Sequence, residues 1–290
     1  MQNESKFSFL NNAFKLEITF LIDLVAIAGF FTISHPLLHI ILLVPLIFSG
    51  TLASMAAGIF NNLYDIDIDS KMQRVSSRRS FVSRERRGLI TIMIIFLILS
   101  SMIAIIFLNI YTLIFIMLGF VSYAILYTIY LKRRTDLNIV IGGIAGSFPA
   151  LAGGSVINGI PTISSIFVAV IVFLWTPTHF WSLAIKYTDD YKAANIPMLP
   201  ATRGIESTRF WILINSSILL IFMSIPVFYP LIERGFLFRV LTIPMALILM
   251  IPSVVYYLKK GGEKQYRKLF SASNTFLSLA LIVIVLSALT

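Results

Sequence analysis

Asn61, Asp65 and Asp69 recur at every fourth position. On a helix of 3.6 residues per turn that spacing stacks them in one stripe, with Asp67 near the opposite face. Lys71, Arg74, Arg78, Arg79, Arg84, Arg86 and Arg87 follow. Carboxylates able to hold a hard cation, followed by guanidinium groups, suit a magnesium-bound phosphate or diphosphate. A bare stripe of acids at a helix C-terminus opposes the macrodipole and repels itself, so it costs stability unless a cation sits on it. Arg74 and Arg78, directly behind the stripe, are the better placed for diphosphate. Arg84, Arg86 and Arg87 are assigned to topology alone.

A second acid-and-base stretch runs from Lys186 to Gly204, KYTDDYKAANIPMLPATRG. Lys186 and Asp190 are one helical turn apart and Asp189 lies alongside. Two acidic clusters facing each other could hold one or two Mg2+, each bridging carboxylates and diphosphate oxygens. Lys132-Arg133-Arg134 has two readings, a membrane anchor or a reach to phosphate. His179 sits in the apolar segment WTPTHFW, beside Pro177, which is expected to bend its helix. Intramembrane ionisable groups are functional by default. At 1.5 Å rise per residue His179 lies roughly 15 Å from Asp190, which suits contact with a flat ligand or a supporting hydrogen bond. Asp23, midway along the first apolar run, draws the same attention but has no evident partner. His35 and His39 flank a turn and read as interfacial.

The elements that must position these groups are membrane helices. The 290 residues are 58% apolar and 12% charged, with a mean hydropathy of +0.91. Soluble domains carry about a quarter charged residues. The net charge of +10 is explained by Lys and Arg gathered on one membrane side rather than by nucleic acid. The absence of cysteine excludes disulfides and thiolate chemistry. No cleavable leader is expected, because the segment before Lys15 is polar and the first apolar run is long enough to span.

Nine apolar runs approach the ~20 residues a spanning helix needs: 16–34, 37–60, 88–108, 110–131, 139–157, 163–185, 210–230, 236–258 and 269–289. The expected fold is therefore an all-α polytopic membrane protein, nine helices in one bundle and a single domain over 1–290. With that count, all 23 Lys and Arg except Arg234 and Arg239 fall on one side. The positive-inside rule then puts the N-terminus and the long loops 61–87 and 186–209 in the cytoplasm and the C-terminus outside. One long loop follows the second helix and the other follows the sixth, which hints at an internal duplication. The small-residue run from Asn138 to Gly154 would let helices approach closely or leave room for a flat ligand, and close packing is the preferred reading.

With these residues in place, the chain resembles the UbiA superfamily of membrane prenyltransferases, in the branch that farnesylates protoheme IX. NNxxDxDIDxKMxR from Asn61 resembles its first aspartate-rich motif. YTIYLKRRTxxNIVIGGxAG, Tyr127 to Gly146, and HFWSLAIKYxDDYKAANIPMLP, His179 to Pro200, are similar to two further signatures. The resemblance implies transfer of the farnesyl group of farnesyl diphosphate to a vinyl group of protoheme IX (heme B), giving heme O, with Mg2+ as cofactor. It implies Asn61, Asp65, Asp69, Lys186 and Asp190 as catalytic, with Asn61, Asp65, Asp69, Asp189 and Asp190 around the metal. Lys71, Arg74, Arg78, Lys132, Lys192 and Arg203 are the candidate diphosphate contacts, and His179 the candidate heme contact. Heme A synthase or a terminal oxidase assembly would receive the product, at the cell membrane. Four positions depart from the family pattern, the first being Lys186, where relatives often place an acid four residues before the Asp190 position. Lys15-Leu16 stands for Lys-Pro, Pro177-Thr178-His179 for Pro-Pro-His, and Arg78-Arg79-Ser80 follows the first motif where Arg-Pro is usual. Two rivals remain: a UbiA relative with another acceptor, and a heme or divalent-cation transporter. Transporters favour charges near the midplane at broken helices, whereas the acids here cluster at one surface.

Overall fold

The computed structural model describes residues 14–69, 82–229, 235–259 and 263–289. These form helices α1 (Leu16–Phe30), α2 (Leu43–Tyr64, entered through a 3-10 turn Pro36–Leu42), α3 (Ile66–Asp69), α4 (Arg86–Phe107) and α5 (Ile110–Val121). α6 (Asn138–Gly142), α7 (Ile144–Gly154), α8 (Ile163–Lys186), α9 (Thr188–Ala193) and α10 (Leu199–Thr202) follow. α11 (Gly204–Phe228), α12 (Phe236–Leu258) and α13 (Glu263–Ser287) complete the bundle. α5 continues as a π-helix over Ser122–Leu131.

Among the described residues, seven helical segments are long and apolar enough to cross a membrane: Pro36–Tyr64, Arg86–Phe107, Ile110–Leu131, Ile163–Lys186, Gly204–Phe228, Phe236–Leu258 and Gln265–Ser287. The runs expected at 16–34 and 139–157 are shorter. α1 has 15 residues, and Asn138–Gly154 is interrupted between α6 and α7. Other boundaries also move. α2 runs on to Tyr64, α11 begins at Gly204 rather than 210, and α13 at Glu263 rather than 269. Apolar runs stop where charges begin, but a helix continues into a charged turn wherever the backbone still pairs with itself. The loop expected at 186–209 is thereby shortened and holds α9 and α10. α8 runs through Pro177 to Lys186.

The outer faces carry exposed Ile94, Ile98 and Ile105 on α4 and Phe228 on α11, as lipid-facing surfaces must. Between helices, small and hydroxylated residues replace water-driven packing. α1 and α7 lie so close that a Cβ on Gly153 would stand 2.1 Å from the Ala26 carbonyl oxygen. Ser49 on α2 and Ser100 on α4 exchange hydroxyl-to-carbonyl bonds of 2.8 Å. Asn109 caps α5 through the Thr112 N–H and donates to the Ser155 and Val156 carbonyls beyond α7. α7 packs against α1, α5 and α8, and α8 against α11 and α13. A cavity of about 270 Å3 opens between α1, α2, α5, α7 and α8.

Candidate active site

The expected acidic stripe is interrupted. α2 ends at Tyr64, and Asp65 takes a non-helical cap conformation (φ −89°, ψ 10°) before α3 resumes. Asn61 and Asp65 still meet across one turn: the Asn61 side-chain amide donates to Asp65 Oδ2 at 2.6 Å, and the Asp65 N–H to the Asn61 carbonyl at 2.9 Å. Asp69 closes α3, and its side chain lies outside the described residues. Lys71, Arg74 and Arg78 lie outside them too.

Asp65 is 1% exposed. A buried carboxylate at the negative end of a helix needs cations, and three arrive from distant sequence. Lys132 pairs with Asp65 Oδ2. Arg133 reaches Asp65 Oδ1 at 3.4 Å and Asp67 Oδ1 at 2.8 Å. It also donates to the Tyr64 carbonyl at 3.1 Å and lies 4.8 Å over the Tyr64 ring, closing the C-terminus of α2. Lys15 donates to Asn61 Oδ1 and, at 3.0 Å, to the Tyr123 hydroxyl. The Arg133 bond holds the Asp67 carboxyl below its ordinary value. Burial alone would pull the Arg133 guanidinium down, but Asp67 and Asp65 outweigh it and raise it.

Two local departures from regular geometry deliver these cations. The π-helix ends with the Lys132 N–H on the Tyr127 carbonyl at 2.9 Å, a five-residue span. Such widened turns recur at functional sites, and this one also turns Thr128 toward Asn61, whose amide it accepts at 3.1 Å. Lys15 precedes α1 in the left-handed region (φ 52°), uncommon for a residue with a Cβ. Gly58 on α2 makes room for that turn, since a Cβ there would meet the Phe14 carbonyl oxygen at 3.3 Å.

The second acidic stretch is at the same end of the molecule. Ile68, between Asp67 and Asp69, shares an apolar cluster with Tyr191, Ile139, Ala194 and Met198. Asp189 is nevertheless exposed and Asp190 only half-buried, and neither has an ion-pair partner among the described residues. Lys186 lies 5.0 Å over the Tyr187 ring. Lys192 is exposed. Arg203 forms a two-point pair with Asp136, so as the structure stands its guanidinium is engaged away from the acidic stretch.

Lys15 links this network to the cavity, which it lines with Tyr123 and Tyr127. Deeper walls are apolar or small, including Ala57, Phe115, Gly146, Val172 and Trp175. Within the run from Asn138 to Gly154, Gly153 packs closely, as preferred from the sequence, while Gly142, Gly143 and Gly146 border the cavity. His179 lines the cavity as well. Its ring stacks on Trp175 with centroids 4.3 Å apart, and Nδ1 meets Ser273 Oγ at 3.0 Å. The Ser273 hydroxyl donates to the Phe270 carbonyl at 2.7 Å. With the hydroxyl hydrogen on that carbonyl, Ser273 Oγ is able to accept from an Nδ1–H of His179.

Among the described residues no three His, Cys, Asp or Glu side chains group together. Asn61 and Asp65 still fit magnesium, which prefers hard oxygens and takes one or two carboxylates, leaving substrate phosphates and water to fill its shell. Lys15 and Arg133 were not among the candidate site residues in the sequence. Lys15 could have been found as the cation at the entry of the first apolar run, and Arg133 as the middle residue of a triplet with two readings.

A profile of the UbiA prenyltransferase family matches residues 24–282. Protoheme IX farnesyltransferase 2 of Picrophilus torridus is 50% identical over 278 residues, covering 94% of each chain. Protoheme IX farnesyltransferase of Saccharolobus islandicus is 37% identical over 273 residues, again covering 94% of both. Among solved structures, one of a digeranylgeranylglyceryl phosphate synthase superposes with a TM-score of 0.78 at 16% identity, covering 98% of both chains. A UbiA homolog from Archaeoglobus fulgidus, bound to GPP and Mg2+, gives 0.67 at 18% identity, covering 95% of this chain and 99% of the other.

Proposed function

The chain belongs to the UbiA prenyltransferase family, and we propose that it transfers the farnesyl group of farnesyl diphosphate to a vinyl group of protoheme IX, releasing diphosphate and giving heme O. The geometric observation that carries this is a buried, cation-ringed carboxylate joined through Lys15 to an apolar cavity. A diphosphate fits the charged end and an isoprenoid the greasy end.

Asn61 and Asp65, with Asp69 from the same motif, would hold Mg2+ against the diphosphate, and Asp189 and Asp190 would serve the second side. When bound, the ion would neutralise charge building on the leaving group. Lys132 and Arg133 already hold Asp65 and Lys15 holds Asn61, and the three would share their N–H donors with diphosphate oxygens. Lys71, Arg74, Arg78, Lys186, Lys192 and Arg203 are the further candidates on the two loops. Preorganised donors aimed at developing charge are commonly the largest catalytic contribution. The cavity walls exclude water while the allylic carbon is electron-poor. At about 270 Å3 the cavity is slightly below the ~300–1,000 Å3 of most ligand pockets. It suits the slender prenyl chain, with the porphyrin entering by widening the side near His179, which lines the cavity.

In this reading the bundle crosses the cell membrane nine times as one domain. The seven long helices are joined by α1 and by α6–α7, which pack against each other at its centre. The charge asymmetry supports a site on the cytoplasmic side. Purified protein supplied with heme B, farnesyl diphosphate and Mg2+ should yield heme O by mass spectrometry. No farnesylated heme with both substrates present would overturn the reading.

A further inference from the structure

We propose that Leu46 and Gly50 on α2 set the length of prenyl chain that the cavity accepts, Leu46 as its floor and Gly50 as the opening that admits a third isoprene unit. The proposal rests on the prenyl transfer above and deepens it, by naming what selects farnesyl among prenyl diphosphates. The α2 residues lining the cavity are Leu46, Gly50, Ala53, Ser54, Ala57 and Gly58, spaced to share one helix face. From the Asn61 end outward that face offers only glycine, alanine and serine until Leu46, the first large side chain on it.

Leu46 is 1% exposed and packs with Ala26, Phe30, Ile116 and Ala152. Ala26, Ile116 and Ala152 line the cavity as well, so α1, α5 and α7 close on Leu46 together. Gly50 stands one turn nearer the charged end. A Cβ added there would meet Asp23 Oδ1 at 3.7 Å as its nearest neighbour outside α2, which is ordinary van der Waals contact. The space over Gly50 is therefore open. Asp23 Oδ2 accepts a hydrogen bond from Thr51 Oγ1 at 2.8 Å, which pins α1 against α2 at this depth and keeps the opening at a fixed width.

Lengths decide which chain fits. Along α2, Gly50 lies roughly 16 Å from Asn61 and Leu46 roughly 22 Å. An extended chain gains about 1.2 Å per bond. At that rate a diphosphate takes about 5 Å, the farnesyl main chain about 13 Å and one further isoprene unit about 5 Å. With the diphosphate seated at Lys15 and Asn61, the third isoprene unit passes Gly50 and ends short of Leu46. A geranylgeranyl tail needs about 23 Å in all and would drive its last unit into the Leu46 cluster. A geranyl tail stops before Gly50 and leaves the apolar walls beyond it without a partner. Close-packed interiors register a single methylene, so both misfits weaken binding.

The test lets geranyl, farnesyl and geranylgeranyl diphosphate compete for heme B with Mg2+ in wild type, Leu46→Ala and Gly50→Leu, and reads adduct masses. The melting shift that each diphosphate gives with Mg2+ and no heme is read alongside. Wild type should favour farnesyl over either rival by about 10-fold or more, since one methylene in an apolar pocket is already worth about that much. Leu46→Ala should raise geranylgeranyl relative to farnesyl by about 10-fold or more, and Gly50→Leu should raise geranyl relative to farnesyl by a similar factor. A wild type without chain-length preference overturns the proposal. So do folded variants in which neither ratio moves, or in which all three substrates are lost in parallel. Should the larger changes not fold, Gly50→Ala decides: it adds one methyl in open space and replaces glycine by the better helix former. Its geranyl-to-farnesyl ratio should rise above the wild-type value, and an unchanged ratio overturns the proposal. If wild type makes no adduct with any of the three, the transfer reading has failed. The melting shifts need no acceptor and then decide chain length alone, equal or absent shifts overturning the proposal.

Discussion

Two acid-and-base regions meet at one end of this bundle and are built in opposite ways. Around Asn61 and Asp65 each described carboxylate has a cation: Asp65 is 1% exposed and pairs with Lys132 and Arg133, while Lys15 bonds its neighbour Asn61. Around Asp189 and Asp190 one carboxylate is exposed and the other half-buried, and neither has an ion-pair partner among the described residues. Low dielectric explains the difference. A buried carboxylate without a cation is uncompensated at a cost of several kcal/mol, so the first region must be neutralised before any ligand arrives. An exposed carboxylate is solvated by water and can wait. The first region is preorganised and the second would be ordered by what it binds.

The largest expected effect follows from that contrast. Asp65→Asn removes the buried anion on which Lys132 and Arg133 converge and on which the proposed Mg2+ would sit, and should lower kcat by about 10³-fold or more. Asp190→Asn removes a charge that water already screens and should cost about 10- to 100-fold. Turnover of both variants under saturating farnesyl diphosphate and Mg2+ decides the matter. Equal losses, or an intact Asp65→Asn enzyme, would break the distinction.

The next effect is on stability rather than rate. Lys132→Met leaves Asp65 buried beside a neutral chain and should destabilise the fold by about 3–5 kcal/mol. Adding Asp65→Asn should restore much of it, because the stranded charge is then gone. Thermal melts in detergent of the two single variants and the double variant measure the coupling. Additive losses would mean that Lys132 supports the bundle through packing and not through Asp65.

How much of this was legible in the sequence follows the same physics. Apolar length predicted α8 at 163–185, and the helix is Ile163–Lys186. The four-residue spacing of Asn61 and Asp65 carried straight into a 2.6 Å hydrogen bond. What spacing does not encode is the break at Asp65 or the π-helix over Ser122–Leu131. Both are compromises between helix pairing and contacts 46 to 108 residues away, which no local pattern contains. Arg133 and Lys15 went unassigned for that reason: a cation's role is fixed by the anion it reaches in space. Asp23 stood out by its chemistry alone, and only the fold supplied Thr51 as its neighbour.

The smallest effect tests the edge between the two regimes. Asp67 is bound by Arg133 at 2.8 Å, yet its side chain is 59% exposed. Its carboxyl titrates below the ordinary value of 3.8, chiefly through the Arg133 hydrogen bond. A group whose folded value is depressed contributes stability above its unfolded value and loses it as pH falls through the folded one. The advantage of wild type over Asp67→Asn should thus be full at neutral pH, shrink as pH drops below 3.8, and vanish further down. Solvent screening limits it to about 1 kcal/mol or less. Melting temperatures of the two proteins across the acid range read this out. A difference several times larger would place Asp67 inside the buried network with Asp65, and a difference independent of pH would mean that Arg133 draws its hold on α2 from the Tyr64 carbonyl and ring alone.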